Sequence, residues 1–257
     1  MPVEIEVDVI LFDMDGTLID STPAVNATWV EFAHEFDLDL DDVLHNAHGK
    51  RTVENITHYI PSLTEEQVQS AVVRFETRVL EIAEENLRTS KETGVASGTI
   101  VPMPGAKQLL SELDAGSAAN PHRRQGWAIV TSSTRAYAKR AFSMAEVGPI
   151  PHVFITSDDC THGKPDPEPY LKGAERSNAA IATCIVVEDA PPGVLSGKRG
   201  GARVLGLETT HDGKRMWECG ATWLAQDLSK VHARWDGDHL FVLLDAAPAP
   251  QYCGKRM

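Results

Sequence analysis

The chain has 257 residues, which at roughly 150 residues per domain means one large domain or two unequal ones. Its 24 lysines and arginines face 37 aspartates and glutamates, a formal net charge of −13. That balance argues against nucleic acid or an anionic membrane as a partner, because both demand a basic surface, but leaves room for a small anion held in a local cationic pocket.

Residues 5–12 form an apolar, β-branched run that ends at Asp13, as expected of a buried strand. From about 22 to 91 the pattern turns helical, punctuated by Gly49 and Pro61. Val25, Trp29, Phe32, Ala33 and Phe36 recur at spacings of three and four and make one apolar face. Thr64, followed by Glu65 and Glu66, predicts a second helix start, with Val68, Val72, Phe75, Val79 and Ile82 on its inner face. Past the loop at 94–104, helix and strand alternate. Helices are predicted over 106–115, 135–145, 167–176 and 192–200, and strands over 126–130, 152–156, 183–187 and 203–207. Such alternation means a parallel sheet covered on both faces, a Rossmann-like α/β core. A hairpin is expected over 232–245, turning at Asp236-Gly237, and residues 246–257 read as a flexible tail. The α/β core is therefore residues 1–20 and 95–245, interrupted by an all-α cap over 21–94. An insertion directly after the first strand sits above the carboxyl edge of the sheet, where open α/β folds bind ligands.

Polar residues gather at that edge. Asp13 and Asp15 end one strand, Thr131 and Ser132 a second, Glu188 and Asp189 a third, and Lys164 follows an intervening strand. Clustered carboxylates raise each other's pKa unless a cation sits among them, and a hard divalent ion, most simply Mg²⁺, resolves the conflict. The lysine and the hydroxyls suit a phosphate. Read alone, two acids at i and i+2 before Gly16 make an acidic turn; their place after a strong strand, in order with the other groups, favours chemistry. Elsewhere, the histidines lack HExxH or HxxxH spacing, so no zinc site is expected, and His211-Asp212 reads as a loop pair. Trp29, Trp127, Trp217 and Trp223 are assigned to the core, with Trp235 in the hairpin exposed.

Asp13-Met14-Asp15-Gly16-Thr17, Ile129-Val130-Thr131-Ser132, Lys164-Pro165 and Val187-Glu188-Asp189-Ala190-Pro191 resemble the four motifs of the haloacid dehalogenase superfamily, in order and over nearly the whole chain. Most of that superfamily hydrolyses phosphate monoesters, with a helical cap between the first and second motifs. The resemblance implies Asp13 as nucleophile, Asp15 as general acid and base, Thr131 on a phosphoryl oxygen, and Lys164 offsetting charge. It implies Mg²⁺ on the Asp13 carboxylate, the Asp15 carbonyl and Asp189, with Glu188 close by. Gly16, Thr17 and Ser132 would border the phosphoryl group. Members that cleave carbon–halogen bonds typically lack an acid at the position of Asp15, so its presence favours phosphate esters. In the cap, His48-Gly49-Lys50-Arg51-Thr52 reads either as a solvated helix start or as a loop whose Gly49, Lys50 and Arg51 meet substrate. That loop, together with Gly163-Lys164-Pro165-Asp166-Pro167-Glu168-Pro169-Tyr170 and Val187-Glu188-Asp189-Ala190-Pro191, resembles fungal-type glycerol-phosphate and 2-deoxyglucose-6-phosphate phosphatases, which act on small polyol or sugar phosphates. Pro192 departs from their pattern, where a smaller residue is usual. A β-phosphoglucomutase-like sugar phosphomutase is the alternative on the same scaffold, and a non-catalytic regulatory protein a more distant one.

The acidic start lacks the basic-then-apolar order of a secretion signal, and no run of 18 apolar residues suggests a membrane span. Cys160, Cys184, Cys219 and Cys253 form no CxxC pair and read as free thiols of a cytoplasmic protein. A monomer is expected, because the cap already covers the site.

Overall fold

The first apolar run does not make one strand. It breaks at Asp8 into β1 (Val3–Val7) and β2 (Val9–Phe12), which belong to different sheets. The reason lies in the residues. Val-Glu-Ile-Glu-Val alternates and suits a strand with one wet face, whereas Val-Ile-Leu-Phe is apolar throughout and buried on both faces. The computed structural model describes residues 3–93, 98–119, 125–245 and 247–248.

β2 is central. It pairs in parallel with β5 (Trp127–Val130) on one side and β7 (Cys184–Glu188) on the other. The sheet continues through β6 (Phe154–Ile155) beyond β5, and through β8 (Arg203–Leu207) and β9 (Trp223–Ala225) beyond β7. These six strands are parallel; β12 (Ala247–Pro248) adds an antiparallel edge to β9, so two residues of the expected tail are paired. The rest of that tail, Cys253 included, lies outside the described residues. β9 is not among the expected strands, because its three residues carry no usable periodicity.

Side chains alternate across the sheet, as strand geometry requires. Ile10, Phe12, Trp127, Ile129, Ile185 and Val187 enter one apolar core; Val9, Leu11, Ala128, Val130, Cys184 and Val186 enter the other. The second core is covered by α7 (Glu168–Arg176), α8 (Pro191–Gly200) and α9 (Gly213–Glu218). The first is covered by α5 (Ala106–Ala119), α6 (Arg135–Ala145) and an antiparallel sheet. In that sheet β11 (His239–Leu244) lies between β1 and β10 (Val231–Asp236). The expected hairpin is thus present, and its Trp235 is half-buried, donating from Nε1 to the Leu113 carbonyl at 3.2 Å.

After β2 the chain passes through β3 (Ile19–Asp20) into α1 (Thr22–Phe36), α2 (Leu40–Asn46), α3 (Thr52–Tyr59) and α4 (Glu65–Thr93), and returns through β4 (Val101–Pro102). β3 and β4 pair antiparallel, so the helical block leaves and re-enters at one point. Thr64 starts α4 as expected: its hydroxyl accepts from the Gln67 amide, and Gln67 Oε1 accepts from the Thr64 amide at 2.8 Å. Trp29, Phe32 and Phe75 hold the helices together, with the Trp29 and Phe75 rings 4.5 Å apart. Among the described residues no helix is long and apolar enough to cross a membrane.

Candidate active site

The sheet fixes the backbone of the site before any side chain acts. The Asp13 amide donates to the Val187 carbonyl at 3.0 Å and the Thr131 amide to the Ile155 carbonyl at 3.0 Å, so both residues extend the strand ladders by one step. Asp13, Thr131 and Glu188-Asp189 therefore emerge side by side at the carboxyl edge. The helical block roofs them, enclosing a cavity of about 530 Å³.

Lys164 is the electrostatic centre. It is fully buried, and its ammonium donates to Asp13 Oδ1 at 2.5 Å, Glu188 Oε1 at 2.7 Å and the Val130 carbonyl at 2.9 Å. Burial alone would lower its pKa, but Asp13 and Glu188 outweigh burial and hold the ammonium above the usual lysine range. Burial pushes the Asp13 carboxyl well up; Lys164 opposes that shift, and the neighbouring Glu188 and Asp189 add to it. Glu188 is tied on both oxygens. Oε1 also accepts from Tyr170 at 2.7 Å, and Oε2 from the amides of Asp189 and Ala190, each at 3.1 Å.

Asp189 is fully buried and surrounded by donors. Thr17 reaches Oδ1 at 2.9 Å, and Thr210 and His48 reach Oδ2 at 2.5 and 2.8 Å. Burial works against ionisation of both partners, yet their attraction prevails. Asp189 stays below the usual carboxylate range and His48 is raised to about 9. One carboxylate oxygen each of Asp13, Glu188 and Asp189 lies within 4.8 Å of the others. An all-oxygen, anionic donor set of this kind fits a hard divalent cation.

Asp15 faces the cavity and accepts three hydroxyl hydrogen bonds, from Ser21 at 2.6 Å, Tyr137 at 3.0 Å and Ser133 at 3.1 Å. Burial raises its pKa, and the three hydroxyls pull it partway back. A carboxyl so placed can give up and take back a proton near a leaving group.

The structure brings Asp13, Asp15, Thr131, Lys164, Glu188 and Asp189 into one cluster. Gly16 takes a left-handed φ of +88°, and a Cβ there would lie 2.3 Å from Asp189 Oδ2. Thr17 and Ser132 are committed within the protein, Thr17 to Asp189 and Ser132 to the Gly49 carbonyl at 3.0 Å. Gly49 and the exposed Lys50 line the cavity. Arg51, grouped with Lys50 as a substrate contact, goes elsewhere. Its guanidinium pairs with Glu54 at 2.6 Å and donates to the carbonyls of Cys160 and Thr161, because α3 starts at the next residue and turns this side chain onto the neighbouring core loop.

Several residues at the site carry no motif in the sequence. His48 stands in the sequence only as part of its loop, and its partner is 141 residues away. Thr209 and Thr210 hold the Gly16 carbonyl and Asp189, and their signal was available: like the other strands, β8 ends in polar residues at the same edge. His211, read as a loop residue, lies on the cavity wall with its ring 5.8 Å from that of His48. Trp29 serves the core and also lines the cavity.

A family model described as a haloacid dehalogenase-like hydrolase matches residues 7–201. The chain belongs to the haloacid dehalogenase-like hydrolases. Within known proteins of this kind it is 35% identical over 208 residues to hexitol phosphatase A of Escherichia coli, covering 81% of this chain and 86% of that one. It is 32% identical over 219 residues to glycerol-1-phosphate phosphohydrolase 1 of Saccharomyces cerevisiae, covering 82% and 78%. A solved hydrolase from Pseudomonas syringae matches with a TM-score of 0.67 at 26% identity, covering 86% of this chain and 94% of that one. The β-phosphoglucomutase of Clostridium difficile, at 18% identity and a TM-score of 0.68, covering 87% and 92%, shares the fold.

Proposed function

We propose that this haloacid dehalogenase-like hydrolase cleaves small sugar or polyol phosphate monoesters through an aspartyl phosphate on Asp13. The observation that carries the reading is a buried ammonium, Lys164, bonded to Asp13 at 2.5 Å, with a second acid, Asp15, on the wall of the same cavity. The Asp13 carboxylate attacks phosphorus, the bond from phosphorus to the ester oxygen breaks, and Asp15 protonates the departing alkoxide. Asp15 then takes a proton from water as that water attacks the phosphorus of the aspartyl phosphate, which releases inorganic phosphate and restores Asp13. Lys164 balances the negative charge, and Thr131, with the Gly16–Thr17 and Ser132 segments, borders the phosphoryl oxygens. The cation we assign is Mg²⁺; Asp13, Asp189 and the Asp15 carbonyl, with Glu188 beside them, would hold it, and when bound it would neutralise phosphoryl charge.

The relatives named as hexitol and glycerol-1-phosphate phosphatases support a small polyol or sugar phosphate as substrate. We assign residues 21–94 as a cap that moves on the β3–β4 ribbon, with Gly49 and Lys50 meeting the alcohol portion and Arg51 docking the cap. Free thiols at Cys160 and Cys219 support a cytoplasmic setting, and a site roofed by its own chain supports a monomer. The test is a panel of C3 to C6 polyol and sugar phosphates, with and without Mg²⁺. Selective, Mg²⁺-dependent release of inorganic phosphate is expected; isomerised sugar phosphate without phosphate release would instead mark a mutase.

A further inference from the structure

Among the acids near the site, Glu76 has no role in the reaction described above. It sits in the middle of α4, on the apolar stripe that includes Val72, Phe75 and Val79, and is 7% exposed. An unpaired carboxylate in such a place would be costly. Glu76 offsets that cost across the gap between the helical block and the core. One oxygen accepts from the Thr52 hydroxyl at 3.0 Å and the Thr134 amide at 3.3 Å, and the other accepts from the Thr134 hydroxyl.

Thr134 is the N-cap of α6, and its hydroxyl oxygen accepts from the Tyr137 amide. The residues on either side of this cap are two of the three donors to Asp15: Ser133 immediately before it, and Tyr137 in the first turn after it. A continuous chain of contacts therefore runs from the helical block to the general acid, through Glu76, Thr134, Ser133 and Tyr137 to Asp15. The helix N-terminus also favours a carboxylate at that point.

We infer that Glu76 is a positioning residue that couples docking of the helical block to the placement of Asp15. With Glu76 seated on Thr134, the first turn of α6 is fixed, and Ser133 and Tyr137 hold Asp15 where a leaving oxygen will be. With the block lifted, Thr134 loses its partner and the α6 start relaxes. The acid is then in place only when the cavity is closed, which guards against proton transfer in an open, wet site. The inference rests on the assignment of Asp15 as general acid.

Leaving-group dependence gives the test. An alkoxide needs a proton as it departs, whereas 4-nitrophenolate does not. Wild type, Glu76→Ala, Thr134→Val and Thr134→Ser are assayed on glycerol 1-phosphate, or on the alkyl phosphate that the wild type turns over fastest, and on 4-nitrophenyl phosphate. Unfolding midpoints are measured alongside. General acid catalysis contributes roughly 10²- to 10⁴-fold, so a misplaced Asp15 should lower kcat for the alkyl ester by about tenfold or more, and by less than about threefold for the aryl ester. Thr134→Val should reproduce that selective loss even if Glu76→Ala does not fold, and Thr134→Ser, which keeps the hydroxyl, should restore the wild-type ratio. Equal losses on both esters, or an unchanged ratio in Thr134→Val, would overturn the coupling. A wild type that hydrolyses neither ester would instead overturn the phosphatase reading beneath it.

Discussion

Replacing Lys164 by Met removes the ammonium that contacts both Asp13 and Glu188 while keeping a side chain of similar length. One carboxylate oxygen each of Asp13, Glu188 and Asp189 lies within 4.8 Å of the others, so at an effective dielectric of about 20 a pair of charges that close repels by roughly 3.5 kcal/mol. Breaking a buried pair by deleting one partner typically costs about 3–5 kcal/mol, consistent with that repulsion. Glu188→Gln deletes the other charge and weakens hydrogen bonds worth about 1.5–3 kcal/mol. The double variant leaves neither Lys164 nor Glu188 charged, so it should be less unstable than the two losses added together, by at least about 1 kcal/mol. Urea denaturation in the presence of a chelator measures all four proteins without a cation standing in for the ammonium. Losses that add to within about 0.5 kcal/mol would refute the claim that Lys164 and Glu188 act as a pair. Adding Mg²⁺ should then narrow the gap between Lys164→Met and wild type.

Two further outcomes follow from other parts of the structure. Gly49 has a φ of +80°, and a Cβ there would lie 2.5 Å from Ala190 Cβ, so Gly49→Ala cannot seat the cap loop on the core without strain of about 1–2 kcal/mol. KM for the best substrate should rise about tenfold with a smaller change in kcat; unchanged kinetics would show that the loop does not close on this contact. Glu168 is held down to about 2, chiefly by the Lys172 ammonium and then by the Thr161 and His162 amides. A depressed carboxylate stabilises the fold above its unfolded pKa and loses that contribution as pH falls through the folded value. Glu168→Gln should therefore lower the thermal midpoint at pH 7, and the difference should fade between about pH 4.5 and pH 2. A constant difference across that range would contradict the assignment.

Most of the core of this site was legible in the sequence because buried parallel strands write themselves as apolar runs, and the acids and hydroxyls stand where those runs stop. β5, β7 and β8 are of this kind. The break at Asp8 was also written there, in the change from alternating to continuous apolar residues, although a single strand was expected. β3 and β4 were not legible, since two-residue strands exist only because the chain returns to the same point. The contacts between helical block and core were hidden for a different reason. His48 with Asp189, Arg51 with the carbonyls at Cys160 and Thr161, and Glu76 with Thr134 join residues 58 to 141 positions apart. His48 and Arg51 stand in a polar loop whose sequence marks it as a site of contact without naming the partners, and Glu76 is a single acid on an apolar helical stripe in a chain of 37 acids, with no local sign that it is the buried one.

Asp13 is the residue on which the proposed chemistry turns. Asp13→Asn keeps the shape of the side chain and its place at the end of β2 while removing the nucleophilic carboxylate. With Mg²⁺ and the best substrate of the panel, wild type should release inorganic phosphate and, when quenched in acid during turnover, carry a phosphoryl group on the peptide containing Asp13. Asp13→Asn should do neither while retaining its fold by circular dichroism. Undiminished phosphate release from the Asn variant, or a phosphoryl group found on another residue, would contradict the mechanism.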